Sequence, residues 1–427
     1  MENIKRVTLS VVMLLGMLVF MGTACNKSDD DNGDNGNTAG FEEEIGDRKI
    51  FTSIAALKSW LESQPDNTAE TAYKVGLKNV NLDSNNGWGD LGIAIKNTKY
   101  VDLNLSNCTG AAIPDGYQES TPGKYPGEFT TTTYGAFLGC NYIVEVTLPK
   151  GLKTIGKWAF YNCSGLNTVS VFDGLTEIHD YAFHESNISS INLPEGLKII
   201  GLNAFASTKL TSVTIPGSVT SVGRSAFYRC YFLTTLEINE GVESIEQSAF
   251  DYCNSLQSAT LPQSLKTIGR YAFRNCNSMK SISLPTGLTT ISEGAFYDCA
   301  GLTSINIPDG IKTVEQSTFY NCSSLSDVTL PSNLISIDDT GFYGCKKLTS
   351  IEIPSKVSSI GQGVFGTSGI TTFILRPTTP PELGYTALTT GSFATLVIKV
   401  PTTSLSAYTT AGGNWSMYAS KMVAHAD

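Results

Sequence analysis

The chain has 427 residues, of which 41% are apolar and only 16% are charged, and its formal net charge is −10. An acidic chain with no basic cluster argues against binding to nucleic acid or to an anionic membrane surface. Three histidines leave little material for acid–base or metal chemistry, so the composition points away from an enzyme, and we assign no catalytic residue, metal or cofactor.

Residues 1–24 have the pattern of a secretory signal peptide. Lys5 and Arg6 precede an apolar run over 7–20, and three small residues then lead to Cys25. These are the n-region, the h-region and the cleavage site of an export signal. The run is short for a bilayer-spanning helix, which makes a retained membrane anchor the weaker interpretation.

Cys25, following these small residues, resembles the Cys of a bacterial lipobox, although Gly22 stands where that motif prefers Leu. The resemblance implies cleavage before Cys25 and attachment of a diacylglycerol to it. An ordinary signal peptide with an incidental Cys is the alternative.

Residues 25–40 are predicted to form a disordered acidic tether, because 26–36 contain no apolar residue. Within them, Lys27, Ser28, Asp29, Asp30 and Asp31 resemble the signal that sends certain Gram-negative lipoproteins to the outer face of the outer membrane. The position of the glycine does not fit a calcium-binding loop. We therefore expect a lipid-anchored protein of the cell outer membrane that faces the exterior.

Residues 41–126 are predicted to form a small α+β N-terminal cap with an insertion loop. Ser53 can cap a helix that carries Leu57, Trp60 and Leu61 on its apolar side. Alternating apolar residues over 73–77 and 101–105 predict two strands.

The insertion follows these strands. The segment from Ile113 to Phe137 is 19 residues longer than its counterpart in the next repeat. The extra residues are rich in Pro, Gly and Thr. This insertion, Pro114–Tyr134, is either functional or a disordered spacer.

Residues 127–376 consist of an internal repeat with a period of 22 or 23 residues. Its unit reads approximately L-x-x-I-x-L-P-x-x-L-x-x-I-x-x-x-A-F-x-x-C. One unit has too little core to be stable alone, so the units must stack into a solenoid with a continuous interior. The repeated Phe residues are Phe137, Phe160, Phe183, Phe205, Phe227, Phe250, Phe273, Phe296, Phe319, Phe342 and Phe365.

This unit closely resembles the BspA-type bacterial leucine-rich repeat. The resemblance implies an α/β solenoid of mostly β and irregular coils: a right-handed leucine-rich repeat array of about eleven repeats between two caps. It also implies adhesion to host matrix proteins, because that role is associated with the family.

Eight cysteines each lie three residues after a repeat Phe, at 140, 163, 230, 253, 276, 299, 322 and 345. Stacked coils give neighbouring cysteines parallel Cα–Cβ vectors, a poor geometry for disulfides. We therefore predict a ladder of small buried thiols. Ser186, Thr208 and Ser368 replace Cys in three copies with a shorter turn, where we expect the hydroxyl to bond a backbone group.

Tyrosines recur beside the repeat Phe and are the candidate partner-binding residues, because tyrosine is enriched at interfaces. The alternative is a structural ladder of rings. The strand positions that face solvent are largely hydroxylic and form a second candidate surface. The tyrosines are Tyr161, Tyr228, Tyr252, Tyr297, Tyr320 and Tyr343.

Residues 377–427 are predicted to form a C-terminal cap. Pro377, Pro380 and Pro381 break the repeat register. A last strand is expected over 396–400, and Tyr408, Trp415 and Tyr418 can then cover the open end.

These features favour a cell-surface lipoprotein that acts as a binding or adhesion module for host or extracellular proteins. The alternative is an accessory lipoprotein that captures glycans without catalysis. We expect no nucleic-acid partner and a monomeric state.

Overall fold

The structure is a computed structural model that describes residues 43–45, 47–84, 86–96, 99–122, 129–134 and 136–425. The predicted signal peptide (1–24), the tether (25–40), Cys25 and the export signal Lys27–Asp31 lie outside these described residues. The predicted boundaries at 126/127 and 376/377 stay predictions.

Each repeat folds into one coil with two short strands, as the copy that begins at Leu302 shows. Its first strand, Ser304–Asn306, pairs in parallel with the strand of the next copy, and so does its second strand, Thr313–Val314. Ile305 and Val314 point inward and are almost fully buried. The predicted solenoid is confirmed.

Two parallel ladders therefore follow the array. The strands of the first ladder are Ile143–Thr147, Thr168–Ser170, Ser190–Ile191, Ser212–Ile215, Thr235–Ile238, Ser258–Thr260, Ser304–Asn306, Asp327–Thr329, Ser350–Ile353 and Thr372–Leu375. Those of the second ladder are Ala112–Ile113, Thr154–Ile155, Glu177–Ile178, Ile199–Ile200, Ser221–Val222, Ser244–Ile245, Thr267–Ile268, Thr290–Ile291, Thr313–Val314, Ser336–Ile337, Ser359–Ile360 and Glu382–Leu383.

The eleven repeat Phe side chains form one stack through the interior. All of them are fully buried. Consecutive rings are nearly parallel, and their centroids lie 5.0–5.7 Å apart. Trp88 meets the first ring edge-on at 6.2 Å, and Phe373 meets the last ring at a steep angle at 5.0 Å. An aromatic side chain therefore closes each end of the stack.

The backbone turns sharply on both sides of each Phe. The residues two before and two after it adopt positive φ, as at Trp158 (55°) and Asn162 (53°) around Phe160. Between these turns, the amide of Phe160 donates to the carbonyl of Ala182 in the next coil at 2.7 Å. We call this segment, from two residues before to two residues after the repeat Phe, the corner. Its two turns direct the Phe ring inward, while its backbone stays hydrogen-bonded to the neighbouring coil.

The repeat cysteines are free and buried, as predicted. Seven of the eight thiols donate to the Phe carbonyl of the preceding coil. Cys163, for example, lies 2.9 Å from the carbonyl oxygen of Phe137, and Cys299 lies 3.1 Å from that of Phe273. The thiol thus satisfies a buried backbone acceptor as well as filling space.

Two of the three hydroxyl substitutions follow the prediction. Ser186 donates to the carbonyl of Phe183 at 2.7 Å, and Thr208 donates to that of Phe205 at 2.8 Å, each within its own coil. For Ser368 the prediction is wrong, because its buried hydroxyl has no hydrogen-bond partner among the described residues.

The N-terminal region extends the same sheet. The strands Arg48–Phe51, Tyr73–Asn81 and Val101–Thr109 pair in parallel, and the last of them pairs with Ile143–Thr147. Glu43–Ile45 pairs antiparallel with Arg48–Phe51 at the edge.

Two helices connect these strands: α1 (Ile54–Ser63) and α2 (Gly87–Ile95). The predicted cap of α1 is present, since the Ser53 hydroxyl accepts from the amide of Ala56 at 3.2 Å. Helix α2 takes the place of a preceding coil. A Cβ on Gly92 would lie 1.8 Å from the carbonyl oxygen of Ala136, so only glycine allows this close approach.

The C-terminal residues cover the other end. The strands Val397–Pro401 and Met422–His425 complete the first ladder, with α3 (Leu405–Thr409) and 3-10 segments at Phe393–Thr395, Thr402–Ser404 and Gly413–Lys421. Tyr408, Trp415 and Tyr418 are buried. The Tyr408 hydroxyl donates to the carbonyl of Pro377, and the Trp415 indole donates to that of Pro381. These aromatic residues therefore pack as predicted.

The insertion is an antiparallel hairpin in its described part, with strands Tyr117–Pro122 and Phe129–Tyr134. Its backbone pairing differs from the disordered spacer that the sequence left open. Among the described residues, no helix is long and apolar enough to cross a bilayer.

The buried thiols make a testable prediction. Burial raises the pKa of Cys140 and Cys299 to about 12, and only the thiolate reacts rapidly with alkylating agents. We expect the repeat cysteines to resist iodoacetamide in the native protein and to react fully after unfolding without reductant. Mass spectrometry would count the modified residues, and a disulfide between neighbouring coils, such as Cys276–Cys299, would contradict the prediction.

Candidate functional site

The six predicted tyrosines all lie at the corner around the repeat Phe, and all are partly exposed. Five of them directly follow a repeat Phe, whereas Tyr252 lies one residue further on. Tyr297, Tyr320 and Tyr343 form one group, and Tyr228 and Tyr252 form a second. The ring of Tyr271 links the two groups, because it meets the Tyr297 ring edge-on at 6.5 Å and lies against Arg274, whose guanidinium also contacts Tyr252. Tyr161 lies apart.

The first group, which we call the tyrosine row, is a stack of three rings. The centroids of Tyr297 and Tyr320 are 4.6 Å apart, and those of Tyr320 and Tyr343 are 4.9 Å apart. The row ends at Gly366, where a Cβ would lie 2.5 Å from the Tyr343 ring. Glycine in the next coil thus leaves room for the last ring.

This stacking decides which chemistry the tyrosine row offers. Both faces of the Tyr320 ring are covered by its neighbours, so the row presents ring edges and hydroxyls. Burial is the main cause that raises the pKa of Tyr297, and the charge of Asp298 is the second. Burial is also the main cause that raises the pKa of Tyr320, and the neighbouring Tyr343 is the second. These hydroxyls therefore remain protonated donors at neutral pH.

The second group includes arginines that alternate with the tyrosine rings. The guanidinium carbon of Arg229 lies 5.0 Å from the ring centroid of Tyr228 and 5.8 Å from that of Tyr252. That of Arg274 lies 5.4 Å from Tyr252 and 4.6 Å from Tyr271. We call these five residues the arginine–tyrosine series. Each contact is within the range of a cation–π interaction.

The charges in the series are not equally neutralised. Arg274 binds the buried Asp251 through two nitrogens, at 2.9 and 2.6 Å. Arg229 is exposed, and it forms no ion pair with the side chains that the structure describes. The sequence prediction missed the arginines, although four of the seven in the chain lie within 224–274.

Tyr161 belongs to a separate N-terminal group. Its ring stacks on His184 with centroids 5.3 Å apart. Burial is the main cause that lowers the pKa of His184, so this imidazole is neutral at neutral pH. The coil of Phe205 carries Ala206 and Ser207 at the corner and separates Tyr161 from Tyr228.

The solvent-facing side of the first ladder is polar, as predicted. Its exposed residues are mostly uncharged and include Ser212, Thr214, Ser258, Thr260, Ser281, Ser283 and Asn306. This face can donate and accept hydrogen bonds along its length. Among the described residues, no group of three or more His, Cys, Asp or Glu side chains could hold a metal ion.

His179 connects the repeats to the base of the insertion. Its Nδ1 lies 3.2 Å from Asp115, which precedes the hairpin, and its Nε2 lies 2.9 Å from Glu177. Burial by itself would lower the pKa of His179, but the hydrogen bonds and charges of Glu177 and Asp115 outweigh it and raise the pKa.

Comparison with known proteins gives one family match. Residues 130–257 and 243–371 match the model of the BspA type leucine rich repeat region, with six copies. No curated protein matches the chain.

Several solved structures are similar at low sequence identity. A leucine-rich repeat protein from Bacteroides ovatus is 22% identical with a TM-score of 0.41, over 74% of this chain and 92% of that one. A leucine rich cell surface protein from Faecalibacterium prausnitzii is 23% identical with a TM-score of 0.37, over 75% and 88%. The pneumococcal vaccine antigen PcpA is 16% identical with a TM-score of 0.40, over 91% and 95%.

The His179 contacts predict a pH-dependent contribution to stability. Because the folded-state pKa of His179 is raised, its contribution is complete below the pKa of the unfolded chain, about 6.5. It is lost as pH rises through the folded-state value. We expect His179→Gln to lower the free energy of unfolding below pH 6 by about 1 kcal/mol or less, since these groups are partly exposed.

Urea unfolding of both proteins at several pH values would measure this difference. We expect the difference to shrink towards pH 9. A difference that grows with pH would contradict the assignment.

Proposed function

The chain belongs to the BspA-type leucine-rich repeat proteins, and on this premise we propose that it is a surface-anchored adhesion module that binds extracellular or host proteins without catalysis. The observation that carries the proposal is the tyrosine row, a partly exposed stack on adjacent coils of a rigid array. Tyrosine offers a large contact area and a polar tip at a low entropic cost, and it is enriched at binding hot spots.

The stacking favours a protein partner over a glycan. Sugars are typically bound on an open aromatic face, but both faces of Tyr320 are occupied at 4.6 and 4.9 Å. Ring edges and hydroxyl donors instead suit the mixed polar and apolar surface of a protein. A glycan would have to use the hydroxylic strand face.

The proposed location rests on the sequence. The lipobox-like Cys25 supports a lipid anchor, and Asp29–Asp31 support export to the outer face of the outer membrane. A tether without apolar residues would hold the repeats away from the membrane surface.

Removal of the tyrosine row tests the binding proposal. We expect the triple variant Tyr297→Ala, Tyr320→Ala and Tyr343→Ala to bind at least about tenfold more weakly to those members of an extracellular-matrix protein panel that the parent protein binds. The fold should persist, because Ala206 and Gly366 occupy the same repeat position. Surface plasmon resonance and thermal unfolding would measure the two quantities.

The matched control is Ser258→Ala, Ser281→Ala and Ser304→Ala on the strand face, which should leave protein binding unchanged. If the tyrosine-row variant unfolds, the row has a structural role and the loss of binding would not identify it as a contact surface. Binding of the parent chain to a glycan array and to no matrix protein would overturn the proposal in favour of glycan capture.

The lipid anchor is tested separately by metabolic labelling with a clickable fatty acid. Cys25→Ala should abolish labelling of the full-length protein, because no other residue can accept the diacylglycerol at the mature N-terminus. Replacing Asp29, Asp30 and Asp31 by Asn should preserve labelling but reduce digestion by protease added to intact cells. Labelling that persists in the Cys25 variant would exclude the anchor.

A further inference from the structure

One coil of the array departs from the repeat pattern at positions where the fold requires no departure. Its turn after Cys230 carries Tyr231 and Phe232, which are 42% and 54% exposed. The next two copies have Asn254-Ser255 and Asn277-Ser278 at these positions. The large aromatic residues therefore do not serve the coil itself.

The same coil carries Arg229 at a backbone position that disfavours it. The residue two after each repeat Phe adopts positive φ, 59° at Arg229 and 61° at Tyr252. Asn, Asp and Gly tolerate this conformation best, and they occupy it in six other copies: Gly139, Asn162, Asn275, Asp298, Asn321 and Gly344. Glu185, Ser207 and Thr367 occupy it in three more copies. Arg229 and Tyr252 thus bear a conformational cost in consecutive coils, as residues at functional sites often do.

Residues 224–232 carry two arginines and no acidic residue, although the whole chain is acidic. Arg224 and Arg229 are exposed, and neither forms an ion pair with the side chains that the structure describes. The nearby Asp251 is buried and already bound to Arg274. Two guanidinium groups without a carboxylate partner among the described side chains therefore lie in one coil of a chain whose net charge is −10.

From these observations we infer that the coil Arg224–Phe232 is the centre of the docking surface and that it takes an acidic protein segment containing large apolar residues. The segment's carboxylates bind Arg224 and Arg229, whose guanidinium groups suit bidentate contacts. Its apolar side chains cover Tyr231 and Phe232. Tyr228 and Tyr252 hold the Arg229 side chain in place through the cation–π contacts.

This inference rests on the proposed protein-binding function and specifies where and what the protein binds. A polyanionic glycan fits less well, because it would use the arginines and leave Phe232 exposed to water. The experiment therefore separates charge from apolar contact.

The test uses the purified full-length chain and a short synthetic peptide of Glu residues interrupted by Leu and Phe. The same peptide with Gln for Glu, and heparin, are the comparison ligands. The variants restore residues that other copies carry at the same positions: Arg224→Gln with Arg229→Asn, and Tyr231→Asn with Phe232→Ser. The matched control is Lys346→Asn with Lys347→Ser, at the equivalent turn of the coil of Phe342.

We expect the parent chain to bind the Glu peptide and not the Gln peptide, with affinity that falls as salt rises. Each of the two variant pairs should weaken binding about tenfold, while the lysine control leaves it unchanged. The variant Arg224→Gln with Arg229→Asn should also unfold at the same temperature as the parent chain or at a higher one, because Asn suits the positive φ at position 229. If Arg229 had a purely structural role, this variant would instead unfold at a lower temperature than the parent chain.

Equal binding by the parent and both variants would overturn the inference, and so would an equal loss in the lysine control. Heparin binding that depends on the arginines but not on Tyr231 and Phe232 would assign the coil to a polyanion instead. If matrix proteins bind the parent and lose affinity only in the tyrosine-row variant, the proposed function stands and this inference fails. If the parent binds neither matrix proteins nor the peptide, the proposed function itself fails.

Discussion

The stacking of Phe on Phe, one ring per coil, is the constraint on which the rest of the structure depends. Parallel strands fix the spacing of coils at about 4.8 Å, and rings with centroids 5.0–5.7 Å apart fill that spacing without a gap. Truncating one such buried ring to Ala typically costs about 3–5 kcal/mol. The positive-φ turns beside each ring, and the thiols on the Phe carbonyls, are the local devices that keep the ring inside.

This constraint also explains how much could be predicted from the sequence. A fixed period identifies the solenoid, the buried thiols and the inward residues, because stacked coils place equivalent residues in equivalent positions. The N-terminal region has no such period, so its alternating and capped segments predict α1 and the strands over 73–77 and 101–105, whereas α2 and the strand Arg48–Phe51 were not predicted. Ser368 shows the limit of a local rule, since the same substitution as at Ser186 leaves a hydroxyl unpaired.

The candidate site was predictable only in part, for a related reason. Counting from the repeat Phe places the tyrosines at one corner, but it does not give ring orientation. Whether Tyr320 is stacked or open depends on side-chain packing between coils. The cation–π contacts of Arg229 and Arg274 depend on residues at different repeat positions that converge in space, which a pattern aligned on Phe does not reveal. The concentration of arginines over 224–274 was the available signal.

In a repeat protein each coil can be compared with the other copies, so a residue that departs from the repeat pattern is informative. Where Ala206 or Gly366 stands in the place of Tyr297, the coil remains intact, so the fold does not require a tyrosine there. An exposed Phe232 removes no water from a core and gains little in the free protein. Arg229 adds a conformational cost to its coil without forming an ion pair there. Residues that cost stability and bury no apolar surface in the core are explained best by what they contact outside the molecule. In an acidic chain, an arginine without a carboxylate partner, in a coil that also exposes aromatic side chains, selects a partner of opposite charge.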